Sequence, residues 1–419
     1  MKLRVFHSDK GDCLLVSGSG GGRILSDGGM KESFVRHVAP HLEQEDPIDL
    51  VCISHVDDDH IAGVLELLDN AMAWKVFNHH RANGDVDFNE PDVPKMPRIK
   101  RIWHNAFHDQ IGQNAGGVAD LLAAMVPVLA NVDVEDLRAA AFENQAIVSS
   151  NKQAILVSQR LRPEQLDIPL NEGGKLIMVR DEKKKFPFGS LSVQIVAPFE
   201  HDVEILRDKW NEWLRENKEI VKKLRQKRKE DDKSLQDEVE TMIEPALSAD
   251  EFGDRTKVTP PNLASIMMYV EDGDKTLFLT GDGHADDALK GLKHIGVLEG
   301  DGTLHLDVLK VQHHGSEHNM TNDFAKRITA DHYVFCGNGF SGNPEPIVLD
   351  TVFNARMGGD GPNRKFKYWF NSSEASEATQ DRSKHMGGIE RQVRDLQQNS
   401  SNRLEAFFLG KDDFFDLHA

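Results

Sequence analysis

Apolar residues along this chain recur with two spacings, and the change from one to the other marks out its elements. Leu3-Arg4-Val5-Phe6, Cys13-Leu14-Leu15-Val16 and Arg23-Ile24-Leu25-Ser26 are short apolar runs. Glycine-bearing turns at Gly11 and Gly18-Ser19-Gly20-Gly21-Gly22 separate them, which predicts three strands within residues 1–30. Residues 31–45 take helical spacing, with Phe34, Val35, Val38 and Leu42 on one face and Pro47 as the stop. Residues 48–53 predict a strand, residues 61–68 a helix, and Trp74-Lys75-Val76-Phe77 and residues 98–103 two more strands. The Ala/Leu-rich stretch 110–170 reads as a helical insertion, and 200–255 as a second, highly charged one. Between them, residues 173–179 and 191–196 alternate like paired strands. Further on, residues 265–270 and 275–280 flank the hairpin turn Asp272-Gly273-Asp274. Strands at 306–311, 331–336, 368–370 and 404–409 complete the set, and 371–402 reads as a polar loop region with one short helix. Residues 1–419 are expected to form one domain built on a shared core.

Composition narrows the class. A hydrophobic share of 39% over 419 residues supplies a sizeable core and excludes overall disorder. The net charge of −19 does not attract nucleic acid non-specifically, so a polyanionic substrate would need metal ions or a local basic patch. Lys222, Lys223, Arg225, Lys227, Arg228 and Lys229 form such a basic run. Acidic residues flank it on both sides, which favours a solvated helix over a polyanion site; a protein partner at 200–250 is the alternative. Cys13, Cys52 and Cys336 are odd in number and lie in apolar runs, which suits buried thiols in a reducing cytoplasm. The first residues lack a long apolar leader segment. The most apolar helical stretch, 118–132, holds Asp120 and Pro127 and is too short to span a bilayer, so no membrane role is expected.

The chemistry concentrates at Ser54-His55-Val56-Asp57-Asp58-Asp59-His60, where a predicted strand gives way to a helix. Imidazole nitrogen and carboxylate oxygen are ligands for borderline and hard divalent cations, and so many carboxylates together repel one another without a cation. Other predicted strand ends carry the same residue types: His104, Asp282, and His313 with His314, while Asp27 ends a fifth strand. Strands finishing at one rim of a sheet would gather these groups into a dinuclear site. By contrast, the glycine run 18–22 lacks the Gly-Lys-Ser/Thr ending of a phosphate loop, and residues 85–96 lack the Gly and Glu of a calcium loop.

His55-x-Asp57-x-Asp59-His60 resembles the His-x-His/Asp-x-Asp-His signature of the metallo-β-lactamase superfamily. Three further blocks resemble its competence-protein-type branch, whose nuclease domain serves DNA uptake: Lys10-Gly11-Asp12-Cys13-Leu14-Leu15-Val16, Leu279-Thr280-Gly281-Asp282 and Leu309-Lys310-Val311-Gln312-His313-His314-Gly315-Ser316. The resemblance frames residues 1–340 and implies a four-layer αβ/βα sandwich (an α+β or α/β fold) with metals at one edge. It implies that His55 and Asp57 hold a first ion, Asp59 and His60 a second, that Asp282 bridges them and that His314 completes the second site. His313 is the alternative ligand or faces the substrate, and Asp27 supports from behind. His104 fits the family's third-motif histidine by position, against the alternative of a histidine stacked beside Trp103. Asp57, where many relatives have His, hardens the ligand set, so Zn²⁺ or Mn²⁺ is expected.

The expected activity is metal-dependent hydrolysis, foremost of phosphodiesters in nucleic acid or nucleotides, with Asp59 as ligand and proton acceptor, Asp282 between the ions, and His313 and Ser316 steadying the developing anion. Two alternatives keep the fold: hydrolysis of a small ester, lactone, amide or peptide, and a binding or regulatory module with structural metals. A serine nucleophile is disfavoured because no Gly-x-Ser-x-Gly elbow occurs.

Overall fold

The computed structural model describes residues 1–42, 47–85, 87–105, 153–154, 156–205, 253–358 and 364–419. The predicted amino-terminal strands form as β1 (Lys2–Phe6), β2 (Leu14–Ser17) and β3 (Arg23–Ser26), joined by β4 (Leu50–Cys52) and β5 (Ile102–Trp103). A closing strand from the far end of the chain, β14 (Phe414–His418), pairs antiparallel with β1, so this sheet runs β14-β1-β2-β3-β4-β5. The sequence reading missed this last strand, in which Phe414, Phe415 and Leu417 are broken up by Asp416, whose charge pairs with Arg4 on the neighbouring strand. The second sheet runs β13-β12-β11-β10-β9-β8-β7-β6. It comprises β6 (Phe186–Phe188), β7 (Leu191–Ala197), β8 (Met267–Asp272), β9 (Lys275–Leu279), β10 (Leu304–Lys310), β11 (Ile328–Phe335), β12 (Phe366–Phe370) and β13 (Leu404–Phe408).

The inner faces of the two sheets bury one apolar layer, with Leu3, Val5, Val16 and Leu50 opposite Val193, Met268, Leu277 and Val308. Alternate residues of the same strands turn outward onto helices, Phe6, Leu25 and Val51 on one side and Phe278, Leu309 and Tyr333 on the other. Helix α1 (31–42) and α2 (Asp58–Ala82) cover the first sheet. Helices α3 (Ala285–Ile295), α4 (Asn322–Arg327), α5 (Pro346–Gly358) and α6 (Gln380–Asn399) cover the second. This is the expected four-layer sandwich of metallo-β-lactamase type. Among the described residues, no helix is long and apolar enough to cross a membrane.

Three expectations need correction. Trp74-Lys75-Val76-Phe77 is not a strand but a turn of α2, because the apolar spacing that starts at Ile61 carries through it without a breaker. Residues 173–179 do not pair with the strand at 191–197. β7 pairs with β8 on one side and with β6 on the other; the earlier segment makes a short turn bridge, a bond from the Val179 amide to the Pro198 carbonyl at 2.8 Å, and a pair of bonds between Ile177 and the Asn105 side chain. The polar region 371–402 contains the twenty-residue helix α6, held by a narrow stripe of Met386, Ile389, Val393 and Leu396. Most of the two insertions, residues 106–152 and 206–252, lies outside the described residues, and with it the basic run of the expected partner surface.

Candidate metal centre

Strands β3, β4 and β5 are parallel and end at one rim, as do β9, β10 and β11. The ligand-type residues follow those ends directly: Asp27 after β3, His55 after β4, His104 after β5, Asp282 after β9 and His314 after β10. Loops at the carboxyl ends of parallel strands commonly carry sites, because the side chains there point into the crevice between layers. A main-chain bond joins the halves, from the Ile266 amide to Ser54 O at 2.8 Å, and within the first half the Ser54 amide donates to the Asp27 side chain, Oδ1, at 2.7 Å.

The histidines are oriented by what their Nδ1 atoms touch. His314 Nδ1 lies 2.7 Å from the Cys336 carbonyl, so it carries the proton and donates. His60 Nδ1 faces Asp27 Oδ2 at 3.1 Å, and His55 Nδ1 faces Ser54 Oγ at 3.1 Å. All three rings therefore present Nε2 to one point, the tautomer that metal ligation requires. Asp282 Oδ2 occupies that point, 3.9 Å from His55 Nε2, 3.4 Å from His60 Nε2 and 3.2 Å from His314 Nε2. Asp59 Oδ2 lies 3.5 Å from His314 Nε2, and Asp57 Oδ2 lies 3.4 Å from His55 Nε2.

Three sets of groups fall within 4.8 Å of one another among the described residues: His55 with His60 and Asp282; Asp59 with His60 and His314; and Asp12 with Asp27 and His60. Asp57 and His104 belong to none of them. Asp57 stands at the amino-terminal cap of α2, and His104 is buried, its amide bonded to Asn171 Oδ1 at 2.8 Å. His313 also stands apart from these sets. Its ring is partly exposed, its Nδ1 donates to Asn319 Oδ1 at 2.8 Å, and its Nε2 accepts from Asn262 Nδ2 at 3.4 Å.

The donor set fits divalent cations. Nε2 of His55, His60 and His314, together with Asp282 Oδ1, is buried with no hydrogen-bond partner among the described residues. Buried polar atoms left this way are costly, and the convergence of three imidazole nitrogens and a carboxylate fits the coordination of a divalent cation. The titration behaviour agrees. Burial opposes charge on His60 and His314, yet the surrounding carboxylates, Asp282 above all, outweigh it and raise both well above the ordinary imidazole value. Burial likewise opposes charge on Asp282, and His314, His60 and His313 outweigh it and hold it well below the ordinary range. For His313 burial prevails and lowers its pKa.

Backbone strain aims the rings. His313 and His314 have φ of 42° and 56°, in the left-handed region that non-glycine residues avoid. Gly11 lets the β1–β2 turn touch the motif: a Cβ there would stand 1.8 Å from the Asp59 carbonyl oxygen. Two features are missing from the sequence reading of the site, the Lys310–Asp12 pair and Asn319. Lys310 is fully buried; it pairs with Asp12, donates to Gly281 O at 2.9 Å and lies 3.6 Å from Asp282 Oδ1. Asp12 in turn faces His314 Nδ1 at 3.2 Å. The signal available was a lysine inside the apolar strand Val308-Leu309-Lys310-Val311, which needs a buried counter-charge. Asn319 is the other, donating to Asp282 O at 2.7 Å while holding His313.

A model of the metallo-beta-lactamase superfamily matches residues 9–79, the span from the β1–β2 turn through most of α2, with Asp27 and the whole His55–His60 motif inside it. No curated protein matches the chain. Among solved structures, the chain is similar to Zn(2+)-bound PqqB from Methylobacterium extorquens, at 13% identity, full coverage of both chains and a TM-score of 0.36. It is also similar to a mutant of the CmlA beta-hydroxylase, at 10% identity, with all of this chain and 54% of that chain covered and a TM-score of 0.35.

Proposed function

We propose that this chain is a dinuclear-metal-dependent hydrolase that cleaves phosphodiester bonds, a nuclease or phosphodiesterase akin to the competence-protein-type branch. The observation that carries the metal chemistry is Asp282, one carboxylate facing the Nε2 atoms of His55, His60 and His314 at once. The phosphodiester reading is supported by the blocks that resemble the competence type: 279–282 and 309–316 fold directly onto this centre and supply Asp282, Lys310 and His314.

His55, His60, His314, Asp59 and Asp282, with Asp57 and His104 as further candidates, would hold two divalent cations, Zn²⁺ or Mn²⁺. Bound there, such ions supply Lewis acidity and a water ionised near neutral pH. The chain's own groups do the rest. Asp59, held ionised against burial by His314 and His60, stays a carboxylate that can ligate an ion and accept a hydrogen bond from the attacking water. His313, whose Nδ1–H is committed to Asn319, presents a lone pair at Nε2, so it takes up a proton first and can then return it to a departing oxygen. The sequence reading gave His313 the task of steadying a developing anion, which would require that proton to be on Nε2 already. Lys310 and Asp12 hold the Asp282 and His314 side chains in place.

The test is the purified chain loaded with Zn²⁺ or Mn²⁺, assayed on bis(p-nitrophenyl) phosphate, cyclic dinucleotides, labelled DNA and labelled RNA. Cleavage of at least one is expected, lost in Asp59→Ala; no cleavage of any by metal-loaded protein overturns the proposal. The net charge of −19 favours a second reading, hydrolysis of an ester, lactone, amide or peptide, since that surface repels polyanions. Nitrocefin, lactone and ester substrates in the same panel separate the two.

A further inference from the structure

Beside the centre lies a pocket of about 80 Å³ that Asp59, His313 and His314 share with Lys10, Asn338 and Phe340. Lys10 sits on the β1–β2 turn, which Ser8 pins through a 2.7 Å bond from its hydroxyl to Gly11 O. Its ammonium stands 4.2 Å from the centroid of the Phe340 ring. Phe340 is 40% exposed, unusual for a large apolar side chain, on the short helical turn Phe340–Gly342 at the pocket edge.

Two cations meet that ring, and they differ in one respect. Arg382, with its guanidinium carbon 5.2 Å from the ring centroid, donates to Asp9 Oδ1 at 2.9 Å and so has its charge matched. Among the described residues, no carboxylate forms an ion pair with Lys10. An aromatic face attracts an ammonium through its quadrupole and orients it, yet leaves its net charge intact. Phe340 thus holds Lys10 at the pocket as an oriented positive charge without a hydrogen-bonded counter-ion, its field reaching Asp59 across the pocket on a chain of net charge −19. A merely solvated lysine needs neither the ring nor the pocket.

We infer that Lys10 is the anion contact of this site, its ammonium on the Phe340 ring taking a phosphate oxygen of a substrate bound over Asp59 and His314. The identity of that anion rests on the phosphodiester reading above. At about 80 Å³ the pocket is smaller than a whole-ligand site, so among the described residues it suits a single phosphate group of the substrate, with the rest of the substrate lying outside it.

The experiment is calorimetric titration of inorganic phosphate into the Zn²⁺-loaded full chain, alongside KM and kcat for bis(p-nitrophenyl) phosphate. The variants are Lys10→Gln, Lys10→Arg and Phe340→Leu, each checked for unchanged metal content and melting temperature. Lys10→Gln is expected to weaken phosphate binding about tenfold and to lower kcat/KM through KM, the loss of one charge-assisted hydrogen bond. Lys10→Arg recovers most of this, and Phe340→Leu, which leaves the cation unguided, loses about threefold. Phosphate affinity and KM unchanged in Lys10→Gln overturn the inference while leaving the phosphodiester reaction standing. Phosphate binding that depends on Lys10, in a chain that cleaves no phosphodiester, overturns the reaction and supports the contact.

Discussion

Lys310 shows how much of the centre depends on a side chain that binds no metal. Its ammonium is buried against Asp12 and Asp282, and those carboxylates outweigh the burial and raise its pKa. Lys310→Met leaves Asp12 charged and unmatched, so a loss of about 3–5 kcal/mol in urea unfolding is expected, with Lys310→Met/Asp12→Leu recovering much of it. Metal affinity is expected to stay about 10–100-fold reduced in the double variant, because His314 loses the Asp12 carboxylate beside its Nδ1. Recovery of metal binding together with stability would show that the pair is only structural. Glu377 makes a pH-dependent case. Burial and the neighbouring Asp9 raise it from 4.5 to about 7, although Asn338 donates to its Oε2 at 3.1 Å. Between those values the folded chain keeps a proton that the unfolded chain has released, so Glu377 takes away stability as pH rises through this window. At pH 8, Glu377→Gln is expected to be the more stable protein by about 1 kcal/mol after allowance for solvent screening, and equal to wild type below pH 4.5. Thermal melts of both proteins across pH 4–8 check it. His55, Asp59, His60, Asp282 and His314 were legible in the sequence because ligand types at strand ends have few other uses. Lys10 and Phe340 were not, since an exposed lysine and a phenylalanine gain meaning only when a turn near residue 10 meets one near residue 340.

Helix α2 is the element that sets the motif against the sheet. It approaches the end of β3 backbone to backbone: a Cβ on Gly63 would stand 2.0 Å from the Gly28 carbonyl oxygen, and the Gly28 amide donates to His60 O at 2.8 Å. Gly63→Ala therefore pushes the first turn of α2, with Asp59 and His60, off the sheet. A destabilisation of about 1–3 kcal/mol is expected, and metal content by elemental analysis is expected to fall with it. Full metal occupancy in that variant would show the motif to be more tolerant than this packing allows. Elements with an uninterrupted period were readable, among them β1 to β3, the hairpin of β8 and β9, and the parallel strands β10 and β11. Those that went astray had mixed signals. The Trp74–Phe77 run has strand-type residues inside a helix that continues from Asp58, and α6 shows only four stripe residues in a polar background. β6 is Phe-Pro-Phe, an edge strand whose proline argues against strand by propensity alone.

Across the whole molecule, the centre is a clasp between two sheets. The first contributes Asp27, His55, Asp59 and His60, the second Asp282, Lys310 and His314. Ions held there stabilise the folded chain alone, since the unfolded chain scatters their ligands. Chelation with EDTA is therefore expected to lower the melting temperature by on the order of 5–10 °C, restored by added Zn²⁺ or Mn²⁺. A melting curve indifferent to chelator would remove metal from the account of the centre.

Strand β14 closes the first sheet against β1. A ribosome therefore makes the partner of the first strand only after every candidate ligand residue has been made. Until Phe414–His418 arrives, β1 offers a bare row of amides and carbonyls, and nascent chains of this protein are templates for one another. A chain ended after Leu409 would carry all the chemistry and still be expected to sediment as aggregates; a monodisperse product would show that the edge needs no cover.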